Sequence, residues 1–341
     1  MMCRLIKRNK SKQSGTALIS VLLIFAVCSV LAVEMQERQH IDIRRTINIL
    51  SRDQAYLYAS AAEAIAFDAL LEDLKRDNRK GDEIDHLDEE WHGEKSLPVD
   101  GGAVTASITE LQGKLNLNAL RSSNPDVVAE AKLLFKGLMD ELGLPKAEEN
   151  AFPTDDMLNL VMEWMDQNDE DDALVEGEDY YYQGLEVAYR TSNNYMTNIS
   201  ELRLVRGFSD EDIAELEEYI VFLPPDTPLN INTVDTTLAG LLRADGATAI
   251  VTDRPKKGWD DPSQIPAAAV IAGSPAPKQL EFPAVAYSEY FLLTATVTIN
   301  QRTITNKSVI YRPRQPDKDN PMRVIMRDRG KKFHYIKTKA N

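Results

Sequence analysis

Eighteen uncharged, largely apolar residues, Thr16 to Val33 (TALISVLLIFAVCSVLAV), set the pattern of the chain. At 1.5 Å per residue this run makes about 27 Å of helix, close to the hydrocarbon thickness of a bilayer. Charge returns at Glu34, yet the helical pattern continues to Asp77 without one Gly or Pro. Ile41, Ile47, Ala55, Ala62, Ala66 and Leu70 recur at helical spacings along it. The pattern predicts one helix of about sixty residues, roughly 90 Å long. Its C-terminal half is expected to pack on its own globular body, alanines allowing close approach. The apolar half has no fold of its own to pack on and needs lipid or sister helices.

The remainder alternates between two periodicities. Arg79 to Glu94 is polar and acidic and predicts a loop, with His86 and His92 at its surface. Leu97–Val99 and Ala103–Leu111 flank Asp100-Gly101-Gly102, a hairpin signal. GKLNLNAL, Gly113 to Leu120, predicts a strand ending in a turn. Helices follow: Asn124 caps one with Pro125 at its first position and Gly143 at its end. Thr154 is expected to cap the next. Ser209 opens another, with Asp212 completing a near capping box and Pro224-Pro225 ending it. Thr233 is expected to open VDTTLAGLLR. The chain closes on two alternating β-branched runs, Ala286–Ile299 and Thr303–Tyr311, across Asn300-Gln301-Arg302. Strands thus lie on either side of a helical block. The expected fold class is α+β, a long N-terminal helix on an antiparallel sheet with a large helical domain inserted between strands.

Charge narrows the function. Subtracting the five positive charges of residues 1–15 from the net −15 leaves −20, a surface that repels nucleic acid and anionic lipid headgroups and suits divalent cations. Arg312 to Lys339 runs the other way, with ten Lys/Arg against three Asp, and is expected to be a solvated basic tail. Cys3 and Cys28 both lie at or before the apolar run, so disulfides do not stabilise the rest.

Three readings of the N-terminus compete. A secretory signal peptide would be cut near Val30-Leu31-Ala32, leaving Val33 first. A plain anchor would keep the basic leader in the cytoplasm. The third rests on Gly15, which stands between the leader and the small Thr16 and Ala17. This resembles the class III leader of type IV pilins and type II secretion pseudopilins, which a prepilin peptidase cuts after the glycine. The resemblance implies that Thr16 becomes a methylated N-terminus. The family usually places Phe first and Glu fifth, where this chain has Thr16 and Ser20. An intramembrane carboxylate is costly unless paired, so a subunit without it holds a special place in a filament.

The densest chemistry is Glu163 to Asn194, EWMDQNDEDDALVEGEDYYYQGLEVAYRTSNN. Carboxylates crowded on a short loop repel one another, and an oxygen-rich, Cys-free loop suits Ca²⁺. Asp166, Asn168 and Glu170 have EF-hand spacing, but Asp171 stands where Gly is required, so calcium and a merely solvated loop both remain open. Around it lie Trp164-Met165-Asp166-Gln167-Asn168, Gly177-Glu178-Asp179-Tyr180-Tyr181-Tyr182, Tyr189-Arg190-Thr191-Ser192-Asn193, Ile199 to Phe208, Leu223-Pro224 and Asn230 to Thr233. Their order, with Gln112 to Leu120 before them, resembles the general secretion pathway protein K family, the K-type minor pseudopilins of type II secretion. The resemblance implies structural calcium, here placed on Asp166, Asn168, Glu178, Asp179 and Asn193. It implies a single-pass protein of a Gram-negative inner membrane with its globular part in the periplasm. It also implies a place at the pseudopilus tip with I- and J-type minor pseudopilins. The major pseudopilin, the prepilin peptidase and the inner-membrane assembly platform are the other implied partners.

On this reading residues 1–15 are the leader, 16–33 the membrane helix and 34–120 the pilin-like helix with its first strands. Residues 121–282 form the inserted helical domain, and 283–341 the last strands and basic tail. Residues 199–220 and 230–254 also resemble helix-hairpin-helix modules, but Arg243-Ala244-Asp245-Gly246-Ala247 lacks the Gly-x-Gly that would meet phosphate. A membrane-anchored DNA-binding protein and a type IV pilus minor pilin are the alternatives. His40, His86, His92 and His334 are scattered, and no nucleophile elbow or phosphate loop accompanies them, so no enzyme is expected. Sequencing the mature N-terminus should find Thr16; Val33 would select the signal-peptide reading.

Overall fold

The computed structural model describes residues 14–81, 83–146, 152–168, 177–242, 249–262, 283–300 and 302–329. Helix α1 (Ser14–Lys80) is continuous over 67 residues. From Leu18 to Leu50 its side chains are almost all exposed, and burial begins at Ser51. It then follows Ala55, Ala59, Ala62, Ala66, Leu70 and Leu74, spaced three or four apart and so on one face. Ile41 and Ile47 fit the same periodicity but stay 64% and 50% exposed. The physical reason is reach: the near end of the sheet stops at Ser51, whose Oγ accepts a 3.1 Å bond from Asn300 Nδ2.

After α1 come β1 (Gly93–Val99) and β2 (Gly102–Glu110). Gly101 turns between them with φ 79°, and Gly102 lies so close to the next strand that a Cβ would sit 1.7 Å from the Thr298 carbonyl. The chain then leaves the sheet through β3 (Leu115–Asn116) and a 3-10 turn at Leu117–Arg121. It continues as α2 (Pro125–Glu141), α3 (Thr154–Met165), α4 (Asp179–Gln183), a second 3-10 turn (Ile199–Arg203) and α5 (Asp210–Leu216). Next are β4 (Ile220–Val221), β5 (Leu229–Asn230), α6 (Thr236–Leu241), α7 (Ala249–Thr252) and β6 (Ala284–Val285). It returns as β7 (Tyr290–Ile299), β8 (Arg302–Tyr311) and β9 (Arg323–Asp328). The main sheet has the order β1-β2-β7-β8-β9, antiparallel throughout, while β3 with β4 and β5 with β6 form short parallel pairs.

Two cores result. Ala55, Ala59 and Ala62 pack on Val104, Ala295, Val297 and Ile299, and further along Ala66 and Leu70 pack with Trp91, Ile108, Phe291 and Ile310. The larger core belongs to the helical body and joins Leu115, Leu117 and Leu120 to α2, α3, Tyr182, Ile213 and Trp259. This body lies at the end of the sheet away from Ser51, since Leu111 and Tyr290 meet Leu223 there.

Several local expectations change. Thr154 is the first helical residue after an N-cap at Pro153, and its hydroxyl donates 2.8 Å to Asp140 instead of capping. Ser209 and Asp212 do form a capping box, but α5 ends at Leu216, because Ile220–Val221 is recruited to pair with β3. Asp235, not Thr233, caps α6, accepting from the Leu238 N–H at 2.8 Å. His86 and His92 are half-buried, His86 taking a 3.2 Å bond from the Asp88 N–H. The segment 243–247 lies outside the described residues.

The basic tail is corrected at its root. Arg323–Asp328 is β9, and Arg312 is buried, only 2% exposed. Its guanidinium donates to Asp73 Oδ2 at 3.1 Å, to Asp85, to the Leu70 carbonyl at 3.4 Å and to the Ser288 carbonyl at 3.2 Å. It also lies 4.5 Å from the centre of the Phe291 ring. Three elements meet at this cation: the end of α1, the loop before β1 and the end of β8. Burial raises Asp73, with Arg312 opposing, and raises nearby Glu89 to about 9 with help from Asp85 and Asp73. Ser288 continues the network, its N–H donating 2.7 Å to Asp85 and its hydroxyl 2.6 Å to the buried Glu110 while accepting 2.7 Å from Asn230. Removing one member of a buried ion pair leaves the other uncompensated, which costs about 3–5 kcal/mol. Arg312→Gln should therefore lower the unfolding free energy by about that much, read by thermal or urea denaturation of the detergent-solubilised chain, whereas Arg314→Gln on the surface should cost about 0–1 kcal/mol.

Candidate functional site

Two features stand apart from simple packing, the uncovered half of α1 and a carboxylate cluster in the helical body. Among the described residues α1 is the one helix long and apolar enough to cross a membrane, and none of its apolar window is buried against protein. Leu22, Leu23, Phe25 and Leu31 are all more than half exposed. Gly15 and Thr16 lie in its first turn, and Ser20 one turn later.

The cluster is built where α3 ends. Asp166 is the C-cap, its N–H bonded to the Met162 carbonyl at 3.0 Å, and Glu163 precedes it by three residues on the same helical face. Glu178, the N-cap of α4, is brought against them because Gly177 lets the backbone pass close to α3. A Cβ on Gly177 would stand 3.1 Å from Leu160 and from Glu163. One oxygen from each of Glu163, Asp166 and Glu178 lies within 4.8 Å of the others. Glu163 and Glu178 are buried. Burial first, then the hydrogen bond to Glu163 and the charges of Asp166 and Glu163, push Glu178 up to about 8. An oxygen-only, crowded, largely buried trio either retains a proton or takes a hard cation, and the donor set fits Ca²⁺.

Of the five residues predicted as ligands, the fold brings Asp166 and Glu178 into this trio. Asn168 folds back on Asp166, donating its side-chain N–H at 2.9 Å. Asp179 turns the other way: its Oδ1 accepts from the Thr191 N–H and Oγ1, both at 3.0 Å, and Gln183 donates 3.0 Å to Oδ2. Asn193, at φ 45°, has its Oδ1 2.6 Å from the same Thr191 hydroxyl, and its N–H donates 3.2 Å to the Trp164 carbonyl. Asp179 and Asn193 therefore share Thr191 beside the trio. Glu163 escaped the sequence reading, although its spacing three residues before Asp166 on a helix was a usable signal. Residues 169–176 lie outside the described part. A second trio, Asp73, Asp85 and Glu89, already contains a cation in Arg312.

The tyrosines of the motif hold the cluster's floor. Tyr182 is fully buried, edge-on to Trp164 at 5.4 Å, and its hydroxyl accepts 3.2 Å from the Arg206 N–H. Tyr181 lies under the Arg206 guanidinium at 4.2 Å. Edge-on aromatic packing of this kind fixes α4 against α3.

A long half-uncovered helix laid along an antiparallel sheet is a pilin-like arrangement, with an apolar half long enough to cross a membrane. Comparison with known proteins narrows it. The family described as "Type II secretion system (T2SS), protein K" matches residues 113–225. The chain is 34% identical over 271 residues to the type II secretion system protein K of Aeromonas hydrophila, covering 73% of this chain and 78% of that one. It is 30% identical over 328 residues to the Pseudomonas aeruginosa protein K, covering 93% of each. A solved structure titled as the GspK-GspI-GspJ complex of the enterotoxigenic Escherichia coli type 2 secretion system is similar with a TM-score of 0.71 and 26% identity, over 84% of this chain and 99% of that one. The chain belongs to the type II secretion system protein K family, the minor pseudopilins of K type.

The raised Glu178 fixes a sign for stability. Its folded affinity for protons exceeds the unfolded one, so without metal the trio's contribution is complete below about pH 4.3 and is lost as pH rises towards 8. Chelated protein should therefore melt at a lower temperature at pH 8 than at pH 5. Added Ca²⁺ should restore several degrees at pH 8 and little at pH 5. Glu178→Gln should remove the calcium response and flatten the pH slope.

Proposed function

We propose that this chain is a single-pass inner-membrane precursor cut after Gly15, methylated on Thr16, and assembled at the tip of a type II secretion pseudopilus. There it initiates or caps assembly with I- and J-type partners and helps folded proteins leave the periplasm across the outer membrane. The major pseudopilin, the prepilin peptidase and the inner-membrane assembly platform complete its partners. Its role is structural, not catalytic.

The observation that carries this reading is the position of the helical body. It sits on the end of the sheet remote from the uncovered helix, where Leu111, Leu223, Tyr290 and Val309 form the contact. A body there obstructs another subunit stacking above and leaves the lower half of α1 free to join a bundle. Ser20 agrees with such a position. A fifth-residue carboxylate would pair with the N-terminus of a subunit above, and a terminal subunit has none to pair with. We assign calcium to Glu163, Asp166 and Glu178, with Asp179 and Asn193 beside them, as a device that orders α3 and α4. The short helices α6 and α7 are read as a helix-hairpin-helix-like packing unit without a nucleic-acid role.

Coexpression of the full chain with the I- and J-type subunits of its own system should yield a discrete membrane complex with one copy of each. Quantitative cross-linking of assembled filaments should find this chain about once per filament. Recovery at many copies along the shaft would defeat the tip assignment.

A further inference from the structure

The face of the main sheet turned away from α1 is built of hydroxyls. Val104, Ala295, Val297 and Ile299 pack on the alanines of α1, so the residues alternating with them lie on the opposite face. The pairing register lines four of these up across four strands: Ser96 on Thr105, Thr105 on Thr296, and Thr296 on Thr305. The next row towards the Ser51 end holds Thr298 beside Thr303, and the row on the other side holds Ser107 beside Thr294. Three cross-strand pairs lie at hydrogen-bond distance, Ser96–Thr105 at 3.2 Å, Thr296–Thr305 at 3.3 Å and Thr298–Thr303 at 3.0 Å. One hydroxyl donates to the other in each pair, which leaves one O–H per pair for an acceptor outside the sheet.

Threonine is a good strand former, and a solvated sheet face can carry it for that reason alone. The charge pattern asks for more. Without Glu94 and Lys307, the ends of the last row, the three rows hold ten positions, and at the chain's 27% charged residues about three of them would bear a charge. None does, and loss of charge from a surface is the compositional mark of contact. Size then selects the kind of partner. Strands about 4.8 Å apart and rows about 6.8 Å apart give an array of roughly 14 by 14 Å, about 200 Å², against about 800 Å² per partner in a stable protein interface. The helical body closes the upper border, where Val221 and Leu223 cover Leu292 and Val309, and Lys307 meets Glu217 at 3.2 Å. A ligand for this array is therefore narrow, uncharged and rich in groups that both donate and accept. Threonine offers a hydroxyl and a methyl on a stiff χ1, a match for the hydroxyl, acetamido and C–H groups of linked sugar rings. Side chains already held in pairs lose little freedom on binding.

We infer that the rows Ser96–Thr105–Thr296–Thr305 and Thr298–Thr303 bind a linear, uncharged polysaccharide laid across the strands. The binding is independent of the tip position and of the anchoring of α1. A neighbouring protein subunit is the competing occupant, and the test separates them.

The full chain, in a zwitterionic detergent free of sugar, is titrated calorimetrically with hexa-N-acetylchitohexaose. Saturable binding is expected, and it should change less than about twofold between about 0.05 and about 0.5 M salt, since no charge is engaged. The variant T296V/T298V/T303V/T305V keeps shape and strand preference while removing four hydroxyls, and should bind at least about tenfold more weakly. The matching four Thr→Ser changes keep the hydroxyls and should stay within about threefold of the unaltered chain. Circular dichroism checks the fold of each. Should the fourfold valine chain not fold, T296V and T305V are titrated singly, each expected to weaken binding about threefold. No saturable uptake by the unaltered chain overturns the inference. So does a folded valine variant that binds like its parent, a folded serine variant that binds no better than the valine one, or an affinity that falls steeply with salt. Valine changes that spare sugar binding but abolish the complex with I- and J-type subunits assign the face to protein and overturn it as well.

Discussion

The structure depends on a single buried cation. Arg312 stands where the outer end of α1, the loop leading to β1 and the last turn of β8 converge, and it satisfies Asp73, Asp85 and two backbone carbonyls at once. Apolar packing alone would leave this convergence underdetermined. The alanine face of α1 is smooth, and a helix on small side chains can slide or rotate at little cost. An arginine with fixed donor directions between two buried carboxylates removes that freedom, because each displaced contact exposes an unpaired charge in a dry setting. The register of the helix on the sheet is thereby specified, and with it the height at which the uncovered half begins.

Much of this was legible in the residues. The long helix announces itself by an unbroken period and the absence of Gly and Pro, and the two hairpins by alternation around Asp100-Gly101 and Asn300. What escaped has a common physical cause, namely that distant partners decide it. Ile220 and Val221 continue a good helical pattern but are taken by a parallel partner a hundred residues earlier. Arg312 resembles every other basic residue near the end of the chain, and only its two carboxylates, which are far off in sequence, draw it inside. Asp328 and its neighbours became a strand because β8 offered an open edge. The candidate metal site shows the same division. The acidic richness near Asp166 and Glu178 was plain, while the choice of Glu163 over Asp179 as third member depended on where Gly177 let the chain turn.

The acidic trio and the tyrosines behind it form a single device. Carboxylates supply repulsion that must be neutralised, and the Trp164–Tyr182 floor supplies a rigid wall against which neutralisation can be felt. Among the described residues the helical body has few long elements of its own, α2 being the longest of them at 17 residues. A hard cation held by the trio, as proposed above, would add an ordering contact between α3 and α4.

The body's two stems have a consequence for how the family can vary. The chain enters it just after Glu110 and leaves it just before Tyr290, and Glu110 pairs with Phe291 across neighbouring strands. Gln112 clasps the exit by accepting from the Glu289 N–H, and Glu110 does so through Ser288. Entry and exit are thus a single port, closed by these polar contacts and by the apolar cluster of Leu111, Leu223, Tyr290 and Val309. Whatever is threaded through that port can grow, shrink or be exchanged over evolution, while the helix-and-sheet chassis beneath keeps its shape.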